Sequence, residues 1–207
     1  MARVTPDWRD GFLFVGNQLA LDFVNTRPVM NGQPVELLSD WNALLRWLRA
    51  AELVSAEEMD TLVRQWGKRP EAGACLEGVR TFRETLRSTV LRLERGEEPG
   101  SRTLAELNPL LRAHPMFLEL RRTGGGLVKR RLFELRRPDD LIAPIVDAAA
   151  TMLLELNPAR VRKCECCVLH FYDTSKNGTR HWCSMQICGN RSKVAAYAKR
   201  KRRTTRQ

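Results

Sequence analysis

The chain has 207 residues, 43% hydrophobic and 29% charged, with a formal net charge of +11. That length supports one good-sized core, or a core with a small appendage, and the composition excludes an intrinsically disordered chain. No apolar run is long enough to cross a bilayer, and residues 1–6 lack the apolar stretch of a secretion signal, so a cytoplasmic protein is expected.

Residues 11–23 begin as a β-like run in which Gly16-Asn17 forms a tight turn. Residues 19–26 then read either as a returning strand or as a short buried helix, and Pro28 and Pro34 enclose a loop. Ser39 or Asp40 caps the first clear helix, where Trp41, Leu44, Leu45 and Leu48 recur at helical spacing. A second helix follows Ser55 through Met59, Leu62, Val63 and Trp66. A third runs over about 71–94 with Val79, Phe82, Leu86, Val90 and Leu93 on one stripe, closed by Gly96 and Pro99. Ser101 opens a fourth through Leu104, Leu107, Leu110 and Leu111. Residues 116–120 and 127–135, joined at Gly124-Gly125-Gly126, read as a hairpin. A fifth helix over 139–156 carries a broad apolar face, and Asn157-Pro158 breaks it. The fold class is therefore mainly α with small β-hairpins. An α-rich domain is predicted over 1–158 and a small module over 159–207.

Charge divides at the same place. Residues 159–207 hold 13 basic and 2 acidic residues, a net +11, which leaves 1–158 neutral. Such a field attracts polyanions, of which nucleic acid is the commonest in a cell interior. Five of the six cysteines also lie here, between 164 and 188. In a reducing compartment that density favours metal binding over disulfides.

Cys164-x2-Cys167 and Cys183-x4-Cys188 suit a tetrahedral zinc ion, with two sulfurs from a tight knuckle and two from a second element. Residues 168–172 and 180–182, around a polar bend at Asn177-Gly178, have hairpin character, and Ser184 caps a following helix. Knuckle, hairpin and helix make a treble-clef-like finger holding one structural zinc. His170 and His181 are alternative ligands, and reduced buried cysteines are the alternative to a metal. Cys166 reads as a thiol outside the ligand set. A catalytic zinc normally keeps an open position, and the His-x-Glu that a zinc deaminase pairs with its cysteines is missing.

Beyond Cys188 the chain is rich in Lys and Arg around Val194-Ala195-Ala196-Tyr197-Ala198, which predicts a helix to about residue 203 with its Val-Ala-Tyr side on the finger. Arg180, Asn190 and Arg191 are candidates for reading base edges, because they lie near the metal-fixed helix start. Lys176, Lys193, Lys199, Arg200, Lys201, Arg202 and Arg203 are candidates for phosphate contact, which gives affinity without sequence choice. Asp173 and Thr174 could instead brace the finger, and Asn190 could cap backbone near Gly189. Trp182 and Tyr197 are expected to pack the module. The lack of a platform of several aromatics beside the cations favours duplex DNA over single strands.

The run 173–177 (Asp-Thr-Ser-Lys-Asn), then 180–185 (Arg-His-Trp-Cys-Ser-Met) and 188–191 (Cys-Gly-Asn-Arg) resemble the signature of the CGNR zinc-finger family. Residues 19–26 (Leu-Ala-Leu-Asp-Phe-Val-Asn-Thr) resemble the opening of the ABATE domain that precedes that finger. Cys166 within the first pair, and Gly16-Asn17 where Gly-Gly is common, depart from the pattern. The resemblance implies a bacterial stress-induced transcription regulator.

The N-terminal domain offers no Ser/His/Asp constellation or phosphate loop. Trp41, Trp47, Trp66 and Cys75 read as core and His114 as structural; Asn25 and Arg27 could instead line a small-molecule pocket. The expected protein is no enzyme. It is a cytoplasmic, nucleoid-associated regulator that binds duplex DNA through its finger, while the N-terminal domain senses a small molecule, binds a protein partner or forms a homodimer. The competing readings are an RNA- or ribosome-associated zinc protein and a zinc-dependent enzyme.

Overall fold

A computed structural model describes residues 7–30 and 32–204. Among these residues helices α1 (Leu19–Val24), α2 (Trp41–Ala50), α3 (Ala56–Trp66), α4 (Pro70–Glu94), α5 (Ser101–Ala113), α6 (Ala143–Glu155) and α7 (Asn190–Thr204) are joined by four two-stranded ribbons, with α2 to α5 in direct succession. These are β1 (Trp8–Arg9) with β2 (Phe12–Leu13), β3 (Val29–Met30) with β4 (Gln33–Pro34), β5 (Phe117–Thr123) with β6 (Gly126–Leu132), and β7 (Val161–Lys163) with β8 (His170–Tyr172).

Local chemistry explains the helix starts. Asp40 accepts the Ala43 N–H at the head of α2, and Ser55 and Glu58 form a reciprocal capping box on α3. Pro70 opens α4, where a missing N–H leaves nothing unpaired. The predicted fifth helix begins as a 3-10 turn over Pro138–Ile142 before α6. Helix α4 is the spine, about 37 Å long at 1.5 Å per residue, and α1, α2 and α5 pack on it. Its apolar stripe meets Phe23, Trp47 and Ile145 in a core where Trp47 is fully buried and Cys75 is enclosed.

The N-terminal reading needs two corrections. The tight hairpin turn is Asp10-Gly11, whose φ values of 49° and 82° give the twist that short ribbons need, and it joins β1 to β2. The chain also bends at Gly16-Asn17, with Asn17 at φ 57°, but into the buried helix α1 rather than a returning strand. Pro28 precedes a miniature ribbon, β3–β4, in which Pro34 pairs with Val29, instead of a loop.

Helix α1 is too short to stand on its own packing. The buried Arg83 donates to Thr26 Oγ1 (3.0 Å) and Glu36 Oε1 (2.7 Å), and Arg87 donates to the Val24 carbonyl (2.7 Å). Against the desolvation that burial imposes, Arg83 holds the Glu36 carboxyl below its usual range. Arginines of α4 thus fix α1 and the turn after it, and that turn meets the C-terminal module.

Candidate metal centre and basic helix

Antiparallel β7 and β8 bracket the knuckle, and the Cys164 N–H donates to the Leu169 carbonyl (2.8 Å). Val168 is held at φ 58°, a strained value for a β-branched residue. The partner of β8 is β7, so the predicted hairpin of 168–172 with 180–182 does not form; residues 180–182 lie alongside as irregular chain, tied by the Glu165 N–H to the His181 carbonyl (3.2 Å). The reason is local: Asp173 ends β8 by turning the chain. Its carboxylate accepts the Ser175 and Arg180 N–H groups at 2.9 Å each, and despite complete burial these bonds hold it below the usual carboxylate range.

Ser184 then caps the second element, accepting the Ile187 N–H. The first turn, Met185–Gly189, is a π-turn in which Cys188 and Gly189 both donate to the Ser184 carbonyl (3.0 Å), and α7 continues from it. Cys183 and Cys188 therefore stand at the start of the helical run, facing the knuckle.

Cys164, Cys167, Cys183 and Cys188 have all four sulfurs within 4.8 Å of one another. Cys167 Sγ and Cys183 Sγ are 3.4 Å apart, and Cys183 Sγ and Cys188 Sγ 3.7 Å; a tetrahedral zinc with bonds of about 2.3 Å sets its sulfurs about 3.8 Å apart. Burial and the neighbouring Cys167 push the Cys188 thiol up to about 12, and Cys164 and Cys167 raise Cys183 far above the thiol range. Four sulfurs so close cannot all ionise unless a cation compensates. The donor set, spacing and burial fit one zinc ion.

The other predicted ligands lie elsewhere. Buried His170 faces Glu94 of α4 (Nε2 to Oε2, 3.3 Å), and His181 pairs with Glu165 (2.7 Å). Cys166 is outside the cluster; its sulfur accepts from Arg191 Nε (3.1 Å) and its carbonyl from Arg191 Nη2 (3.0 Å).

Several module arginines hold backbone inside the finger, a role that a charge count cannot reveal. Arg180 lies 4.9 Å from the centre of the Phe171 ring and donates to the carbonyls of Trp182 (2.7 Å) and Cys183. Arg160 donates to the carbonyls of Asp173 (2.9 Å) and Ser175 (2.7 Å), and Arg162 to that of Gly178 (2.7 Å). Asn190 donates to Gln186 O (3.2 Å), a local bond at the start of α7. Lys176 is exposed on the bend after β8, and Lys193 and Lys201 are exposed on α7. Lys199, Arg200, Arg202 and Arg203 fall within α7, but their side chains lie outside the described ones.

Trp182 packs against the cysteine cluster as expected. Tyr197 does not: it is 62% exposed and Val194 68%, so the predicted docking of that side on the finger is wrong. Among the described side chains, the π-turn and Arg191 tie the base of α7 to the finger, while Val194 and Tyr197 farther along the helix face solvent.

Sequence reasoning also missed how the N-terminal domain grips the finger. Asn25 Nδ2 donates to the His170 carbonyl (2.8 Å) while its Oδ1 accepts the His170 N–H (3.0 Å), so this buried side chain is committed to the finger. Arg27 pairs with Glu84 at 3.4 Å. The Tyr172 N–H donates to the Gly16 carbonyl (2.8 Å), and Asn17 donates to the Tyr172 carbonyl (2.9 Å). Gly16 N–H in turn donates to Asp22 Oδ1 (2.7 Å), and a Cβ on Gly16 would lie 2.8 Å from that of Leu21. The Leu-Ala-Leu-Asp-Phe-Val-Asn run thus carries this clasp; its polar residues among apolar ones were the available signal.

Fold and site together define an α-helical domain clasped to a four-cysteine zinc finger. Residues 17–155 match the ABATE family, described as "Putative stress-induced transcription regulator", and residues 160–201 match the CGNR zinc finger. The chain belongs to the ABATE family and carries a CGNR zinc finger after that domain. Both are regulator or zinc-finger families rather than enzyme families. No curated protein matches the chain. Among the described residues no helix is long and apolar enough to cross a membrane.

Proposed function

We propose that this protein is a zinc-dependent, DNA-binding transcriptional regulator. Cys164, Cys167, Cys183 and Cys188 hold one structural zinc, and the finger of 159–207 presents α7 to duplex DNA. The observation that carries the reading is the anchoring of an acid-free helix with seven Lys and Arg residues, Asn190–Thr204, at a cluster fit for one zinc ion. Four sulfurs close the coordination shell, which supports a scaffold rather than a reagent. Lys176, Lys193, Lys199, Arg200, Lys201, Arg202 and Arg203 contact phosphates. Arg180, Asn190 and Arg191 belong chiefly to the architecture that aims the helix, and any base reading by them comes through that fixed geometry. The domain over 1–158 senses a small molecule, binds a protein partner or pairs two copies, and the protein works on the nucleoid in the cytoplasm.

The test is anisotropy of labelled duplex DNA and of structured RNA with the zinc-loaded full chain at matched salt. Duplex binding with a log–log salt slope of about −4 to −6, the value for some five to six phosphates, is expected. Equal or tighter binding to the RNA would replace this reading with an RNA-associated one.

A further inference from the structure

The ribbon β5–β6 has no structural role that accounts for its composition. All seven residues of β5 and six of the seven of β6 are exposed, and among the described residues the ribbon packs against no other element over an extended face. An isolated two-stranded ribbon is marginal in water unless something covers one of its faces. This one leaves large apolar side chains uncovered: Leu118 is 59% exposed, Leu120 70% and Leu127 65%.

Cross-strand partners share a face, and the register pairs Leu118 with Arg131, Leu120 with Lys129 and Arg122 with Leu127. One face is therefore three leucines interleaved with three cations and no acid. Across both faces the ribbon carries five Lys and Arg residues against Glu119 alone, inside a domain that is neutral only when the ribbon is counted. Arg131 pairs with Asp147 (2.5 Å), whereas Arg121, Arg122, Lys129 and Arg130 have no acidic partner among the described residues. At the tip, Gly124 and Gly125 have ordinary φ values, and an added Cβ would meet nothing within 4 Å. The free protein does not need those glycines, while a bare tip lets a partner approach closely.

We infer that β5–β6 is a second nucleic-acid-binding arm, which lays its cations along duplex phosphates and its leucine face into a groove. The inference rests on the duplex-binding reading of the finger. A two-stranded ribbon about 24 Å long fits a major groove about 12 Å wide, and apolar side chains there can meet thymine methyls. A second copy paired along the ribbon edge would crowd like charges, so charge favours the polyanion.

The test uses the zinc-loaded full chain and a duplex titrated across salt. The variant with Arg121→Gln, Arg122→Gln, Lys129→Gln and Arg130→Gln is expected to bind at least about 10-fold more weakly, with a slope shallower by about 2. Leu118→Ser, Leu120→Ser and Leu127→Ser together should weaken binding while leaving the slope unchanged. In the unaltered protein, duplex should protect Lys129 from acylation, which needs no variant to fold. A parent that binds duplex while both variants match it and Lys129 stays reactive overturns the arm alone. A parent that does not bind duplex overturns the arm and the proposed function together. Loss of binding to anionic phosphatidylserine vesicles, or of a dimer, with duplex affinity intact would reassign the ribbon to that partner.

Discussion

Asp22 sits in the clasp between domain and finger, buried beneath the Gly16 turn, and its pKa is raised to about 7, chiefly by desolvation. Because the folded value lies above the unfolded one near 3.8, the protonated acid is the form that folding favours. Its contribution to stability is full below about pH 4 and is lost as pH rises through about 7, by up to about 4 kcal/mol. Asp22→Asn keeps an oxygen for the Gly16 N–H and removes the titration. Urea midpoints at pH 5 and pH 8 should therefore differ more for the parent than for the variant; equal differences would contradict this account of Asp22. At this scale the sequence was legible wherever the partner is close in the chain. Asp40 announced its helix cap, and the cysteine pairs announced a metal, because those spacings are nearly geometry. Asn25 was opaque, since the His170 backbone it holds lies 145 residues away and is reached only through tertiary packing.

Helices α2 to α6 follow their apolar periodicity, because each buries one stripe against α4 or a neighbour packed on it. The miniature ribbons were harder, since two-residue strands carry no period. The pairing of β8 with β7 was hidden because β7 lies before the knuckle, outside the span between the cysteine pairs. Tyr197 misled for a related reason: an apolar helical stripe predicts burial only when something lies beneath it, and Val194 and Tyr197 face solvent. The π-turn that starts α7 holds Cys188, so the metal centre should govern that helix directly. Cys183→Ser is expected to reduce bound zinc well below one ion per chain and to lower helical content, whereas Cys166→Ser should keep one zinc. A Cys183→Ser protein that retains one zinc and its helicity would show that the centre does not organise the finger.

For the whole molecule, the division of charge was fully legible and the physical coupling was not. A neutral body and a +11 end suggested two units joined at Asn157-Pro158, yet β8 is hydrogen-bonded to the turns on both sides of α1, and Val161 and Tyr172 join the body's core. The buried backbone groups of His170 are satisfied by Asn25, and leaving such groups unpaired costs about 1–3 kcal/mol each. The body and the base of the zinc finger are therefore joined directly through buried hydrogen bonds. The central claim is that zinc sets the basic helix in the geometry that binds duplex DNA, and the most direct measurement is duplex affinity of the full chain across salt, zinc-loaded and then chelated. The account expects tight, steeply salt-dependent binding with zinc and a loss of at least about 10-fold on chelation, restored by adding zinc back. Duplex binding of the same affinity and slope with and without the metal would contradict it.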